Sequence, residues 1–192
     1  MKITAVMLSI KTQWSERIAS GKKTIEVRKT RPKLATPFRC YIYESLGKVK
    51  IKSMDIPTEQ GGGTIDFYSH EGIGKIIGEF VCDKIEIYDD DTIHCFSDED
   101  YAKWNDFDLD RSCIHPEDFE RYASDKWLYG WHILELKIYD KPKELSEFRR
   151  PCANDLLCES CAMYSESGNT CGNEALRLTR PPQSWCYVAE MI

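Results

Sequence analysis

The 192-residue chain has no apolar run long enough to cross a membrane. Its apolar start, residues 3–10, is broken by Thr4 and Ser9 and runs into Lys11 with no small-residue cleavage site. A secretory leader is therefore not expected, and the protein reads as cytoplasmic. A disulfide framework is excluded on two counts: the compartment is reducing, and the cysteine count, nine, is odd. Gly61-Gly62-Gly63 is followed by no Lys-Ser/Thr pair, so it is no phosphate loop. The aspartates between Asp89 and Glu120 show no metal-ligand spacing, and neither internal repeats nor low-complexity tracts occur.

What remains is ordinary soluble composition with an uneven charge. Hydrophobic residues make up 42% and charged residues 30%, enough for one domain with a proper core or one domain plus a small appendage. The net charge of −6 hides an asymmetry: residues 1–52 carry 13 Lys and Arg against Glu16, Glu26 and Glu44. That half stands at +10 and the remainder at −16. A negative whole argues against non-specific coating of long nucleic acid, while a local basic face can hold a few phosphates.

The stretch Gly21 to Arg28 concentrates the chemistry. Trp14 and Ile18 lie four apart on one face of a helix spanning Gln13–Ser20, with Thr12 as its expected N-cap. Gly21 ends that helix, because glycine takes the left-handed conformation without steric cost. A strand over residues 23–29 follows, placing Thr24, Glu26 and Arg28 on one face and Ile25 and Val27 on the other. Lys23 falls on the opposite parity and must reach the same place from the preceding turn. An acid and a base two apart on one face either pair on a solvated surface or converge on a ligand.

Further strands are expected at Ala5–Ile10, Arg39–Ser45, Lys75–Tyr88 and Trp131–Tyr139. Tyr41 and Tyr43 share a face of the Arg39 strand, where they either pack a core or stack a nucleobase, and Tyr43 is a candidate ligand residue. Lys48, Lys50 and Lys52 alternate as on a basic edge strand, and the triple glycine predicts a mobile loop. Gly78 predicts a bulge. The acidic segment predicts helices near Ser97 and at His115-Pro116-Glu117. His132, Leu134, Leu136 and Ile138 fall on one face of the last strand, where a lone histidine among aliphatics is usually a core residue. Cys40, Cys82, Cys95 and Cys113 are scattered singly and read as small hydrophobes.

The other five cysteines crowd into residues 152–186. Cys152, Cys158, Cys161 and Cys171 contain a tight Cys-x2-Cys knuckle with outlying cysteines on both sides. Four thiolates at about 2.3 Å around a tetrahedral centre are the pattern of structural zinc. With few large apolar residues nearby (Leu156, Leu157, Met163), the segment would draw its folding energy from the metal, about 10 kcal/mol in zinc peptides. Cys186 is an alternative fourth ligand, although it lies in the strand-like run Trp185–Val188. A redox role for the Cys-x2-Cys is disfavoured by the absence of a thioredoxin-like βαβ context.

Gly21, Lys23, Glu26 and Arg28 match the G-x-K-x-x-E-x-R signature of the ASCH domain, and the chain resembles that family to about Tyr139 and again near its end. Met7–Ile10, the helix after it and Gly78-Glu79-Phe80-Val81 resemble its first strand, first helix and a later central strand. Arg180-Pro181-Pro182-Gln183-Ser184-Trp185-Cys186-Tyr187-Val188 resembles the closing segment of prophage-type members. The resemblance implies an α+β fold: a small PUA-like β-barrel with flanking helices over residues 1–148, including an acidic helical insertion at about 89–125. A cysteine-rich zinc knuckle at 149–175 and a closing strand at 176–192 complete the expected organisation. It also implies RNA or a nucleotide as partner, with Lys23 and Arg28 donating to phosphate or a base edge and Glu26 accepting or orienting Arg28. The rival is a hydrolase with Lys23 and Glu26 as catalytic pair, acting on RNA or on an acetylated nucleoside. Some ASCH amidohydrolases use Lys, Thr and Glu, but Glu26 stands here where they have the threonine. A third class is a non-catalytic interaction module. Oligomeric state is open.

Overall fold

The computed structural model describes residues 4–58, 61–89, 109–152, 164–165 and 170–190. Two sheets dominate. The first has five strands in the order β12-β1-β3-β6-β9, built from β1 (Thr4–Lys11), β3 (Phe38–Ser45), β6 (Ile76–Cys82), β9 (Leu134–Lys143) and β12 (Trp185–Ala189). The second has three, β2 (Ile25–Arg28), β8 (Leu128–His132) and β7 (Ile85–Tyr88). β1 runs parallel to β3 and antiparallel to β12.

Central strands buried on both faces should be apolar nearly throughout, and β1 and β3 are. Val6, Leu8, Ile10, Phe38, Cys40 and Ile42 point into a core shared with Ile18, Phe80 and Trp131. Ala5, Met7, Tyr41 and Tyr43 point the other way, onto Ile76, Phe148, Leu178 and Val188. The second sheet presents Trp131 to the first core, and turns Ile25, Val27, Tyr88 and Leu128 onto Phe119 and Ala123.

Helix α1 (Thr12–Ala19) packs Ile18 and Trp14 on the first core, as the i, i+4 spacing requires. Its cap differs from expectation. Lys11 is the N-cap and Thr12 is already helical, with its hydroxyl buried and unbonded. Gly21 ends the helix with φ +74°. The helix expected at His115-Pro116 is α3 (Pro116–Ala123), capped by an extended His115 with proline in its first turn. A single turn, α2 (Leu109–Ser112), precedes it. The helix expected near Ser97, and Cys95, lie outside the described residues.

The closed barrel expected from the resemblance is not formed by the described residues: the five-stranded sheet ends at β12 and β9, and the three-stranded one at β2 and β7. Two expected strands account for this. Residues 75–88 and 131–139 each break, at Asp83-Lys84 and at Ile133, into β6 and β7 and into β8 and β9. Because β6 pairs with β9 and β7 with β8, the two breaks lie opposite each other and one ribbon serves both sheets. The break also separates His132 from Leu134 and Ile138, which are exposed, so no common face of the four exists. Gly78 sits at a register shift, and a Cβ there would come 2.5 Å from the Lys137 carbonyl oxygen. The triple glycine expected as a loop belongs instead to β5 (Gly61–Glu71), where it pairs with Ile56, Pro57 and Thr58 of β4 (Gly47–Thr58). Lys48, Lys50 and Lys52 lie on β4. A short hairpin joins β10 (Tyr164–Ser165) to β11 (Thr170–Cys171). No helix among the described residues is long and apolar enough to cross a membrane.

Candidate functional site

β2 is shorter than expected, starting at Ile25, and this resolves the parity of Lys23. The residue belongs to the turn after α1, held by its backbone N–H donating to the Arg17 carbonyl. From there its side chain reaches the Glu26 face. Lys23 Nζ lies 3.3 Å from Glu26 Oε2, and Arg28 Nε lies 2.9 Å from Glu26 Oε1. The carboxylate thus sits between two cations, with residue exposures of 1% for Lys23, 6% for Glu26 and 8% for Arg28. A solvated surface pair is excluded by that burial.

Most of the remaining donors have a partner. Lys23 Nζ donates to the Ser112 carbonyl at 2.5 Å and stands 5.2 Å above the Trp14 ring. Arg28 donates to the Ser9 carbonyl at 2.8 Å and to the Ser184 hydroxyl at 3.4 Å. Its Nε faces the carboxylate without hydrogen-bond alignment. Burial lowers the Lys23 pKa, and the Glu26 carboxylate opposes that shift. In strand pairing Glu26 faces Trp131 and Arg28 faces Tyr129, so the ions line the seam between the two sheets.

The seam is what the motif holds together. Ser9 donates its backbone N–H to Ser184 and its hydroxyl to the Pro182 carbonyl, so Arg28 clamps β1 to the segment leading into β12. Lys23 clamps β2 to α2. Ser9, Trp14, Ser112 and Ser184 are the partners that sequence reasoning missed. They come from four separate segments, and no spacing rule joins them.

An open cleft lies near the N-terminal end of β2, and none of Lys23, Glu26 or Arg28 lines it. Its volume is about 460 Å³, and it is lined by Glu16, Arg17, Ser20, Lys22 and Cys113. Arg17 stacks 5.1 Å from the Trp14 ring and donates to the Cys113 carbonyl at 3.0 Å. Tyr43 does not join this site. It is buried on the far face of β3, and burial raises its pKa. Among the described residues no group of three or more His, Cys, Asp or Glu is placed to hold a metal. Cys152 is a half-buried free thiol and Cys171 lies on β11, whereas Cys158 and Cys161 lie outside the described residues. Cys40 and Cys82 are buried, and burial pushes the Cys82 thiol up to about 12.

No protein-family model matches the chain, and no curated protein matches it. Solved structures do. The ASCH protein of Zymomonas mobilis superposes with a TM-score of 0.51 at 15% identity, over 95% of this chain and 86% of that one. Two single-substitution variants of the same protein give TM-scores of 0.53 and 0.52 at 14% and 15% identity, over 95% of this chain and 87% and 88% of theirs. The chain therefore has the fold of the ASCH domain.

Proposed function

We propose that the protein binds RNA or a nucleotide in the cleft beside the Lys23–Glu26–Arg28 cluster. Lys22, next to Lys23 in the turn before β2, and Arg17 line this cleft and supply its phosphate donors. The observation that carries the proposal is Arg17: its guanidinium is held by Trp14 and the Cys113 carbonyl while lining an open cleft. A pre-positioned guanidinium is the preferred group for phosphate, since its fork geometry is fixed before the ligand arrives. A uridine nucleotide should bind weakly and lose affinity as salt rises, and Arg17→Ala with Lys22→Ala should lower that affinity about tenfold. Binding that ignores both salt and these substitutions would exclude the cleft.

A hydrolase is favoured by one observation, a buried lysine whose pKa is pulled down by desolvation next to a carboxylate. The pair would then act on an acylated nucleoside or on RNA, with Glu26 as base. Incubation of the wild-type protein with acetylated cytidine and with RNA decides this, because absence of turnover on both removes it. The cysteine-rich segment would supply a structural zinc site from Cys152, Cys158, Cys161 and Cys171, a four-thiolate donor set closed to substrate.

A further inference from the structure

We propose that two copies of this chain join through the β4–β5 hairpin, pairing β5 with β5 antiparallel about a twofold axis into one four-stranded sheet. The pairing is independent of the cleft. The hairpin stands apart from both main sheets: its strands, 12 and 11 residues long, pair with each other and with no other strand among the described residues. A lone two-stranded ribbon is marginal in water, and further strands are what make such a sheet hold. The two outer edges of the hairpin differ. β4 carries the devices that keep an edge from being paired: Lys48, Lys50 and Lys52, Pro57, and a register shift between Lys50 and Lys52. β5 has none of them, with no lysine, arginine or proline in its 11 residues.

The other sheet ends do not compete. β2 and β7 have four residues each and β12 has five. β9 is long enough, but Lys137, Lys141, Pro142 and Lys143 and the register shifts in its pairing with β6 guard it. The charge pattern of β5 fits a second copy of itself. With Phe67 on the axis, Asp66 comes opposite Tyr68, Ile65 opposite Ser69 and Gly63 opposite Glu71, so no like charges face each other. The two acidic central strands are then flanked on both sides by the lysines of β4. Ile65 and Met54, directly opposite within the hairpin, are each 42% exposed, and an added strand gives Ile65 a neighbour on its open side. Pairing β4 of one copy with β5 of the next would meet Pro57 and the irregular register, and it would not close.

The test is sedimentation equilibrium of the full chain from about 1 to 100 μM, the range in which a modest interface declares itself. The chain should pass from monomer to dimer and stop there. Ile65→Lys with Ser69→Lys sets like charges opposite each other twice across the axis and should raise the dissociation constant at least about tenfold. Ile65→Lys with Ser69→Asp sets opposite charges at the same two places and should stay within about threefold of the unsubstituted chain. Both variants lose Ile65 in the same way, so a difference between them reads the pairing across the axis and not a folding defect. Nucleotide binding at Arg17 and Lys22 should be the same in both variants, which separates failure of the dimer from failure of the cleft. A chain that stays monomeric throughout, two variants that associate equally, or assemblies that grow past the dimer with concentration would overturn the pairing.

Discussion

Glu26→Gln is the most informative single change, because Glu26 is the one anion between two buried cations. In the native cluster the carboxylate lies 3.3 Å from Lys23 Nζ and 2.9 Å from Arg28 Nε, with about a tenth or less of each side chain exposed. The amide keeps the shape and removes the charge, leaving two positive groups buried without compensation. Losing one partner of a buried pair costs about 3–5 kcal/mol. Lys23→Met should cost less, about 1–3 kcal/mol, since it leaves a balanced Glu26–Arg28 pair and chiefly strands the Ser112 carbonyl. The order Glu26→Gln above Lys23→Met is the discriminating feature. Urea unfolding at pH 7 gives both values by linear extrapolation, with an unchanged slope as the check on two-state behaviour. In a thermal scan the Glu26 change should lower Tm by about 6–20 °C for a domain of this size. The variant also carries a pH signature. With the carboxylate gone, Lys23 is pulled further down by burial, so the unfolded chain binds more protons than the folded one between the folded and unfolded pKa values. Stability of the variant should therefore rise relative to wild type as pH goes from 7 to 9. A loss below about 1 kcal/mol, matching the control Asp118→Ala at an exposed ion pair with Arg121, would refute the account of a structural ion cluster.

Other expectations follow from the same geometry. Cys82 keeps its proton in the fold up to about pH 12 from an ordinary 9.0, so its contribution is complete below pH 9 and is lost at about 1.4 kcal/mol per pH unit above it; alkaline urea titrations should show a shallower fall for Cys82→Ala. Gly130→Ala would put a methyl 2.5 Å from the Tyr88 hydroxyl, and forcing that ring off the sheet should cost about 1–3 kcal/mol, read by urea unfolding, whereas no loss would mean the ring moves freely. Protein purified without chelator should contain about one zinc per chain by elemental analysis, and Cys158→Ser with Cys161→Ser should release it; zinc-free protein, or ligation through Cys186 in place of Cys152, would count against the assignment.

The contrast between what could and could not be read beforehand has a physical basis in period and distance. Alternation along a strand is a local property, so the split of Glu26 and Arg28 from Ile25 and Val27, and of Tyr41 and Tyr43 from Cys40 and Ile42, is visible in the order of residues. The stop at Gly21 and the start at His115-Pro116 are local too. Breaks inside apolar runs are not. Nothing in Lys75–Tyr88 alone marks Asp83-Lys84 as the point of bending, because the bend exists only where Ile133 on the partner strand breaks pairing as well. The same limit applies to the cluster. The sequence pattern brings an acid and a base to one face, but whether they meet solvent, a ligand or each other depends on Ser112, Ser9 and Ser184 arriving from up to 156 positions away to occupy their remaining donors. With most of those donors engaged and the side chains buried, the motif is poorly placed to meet a phosphate from solvent. In the proposed reading, Arg17 and Lys22, which line the open cleft, take that role.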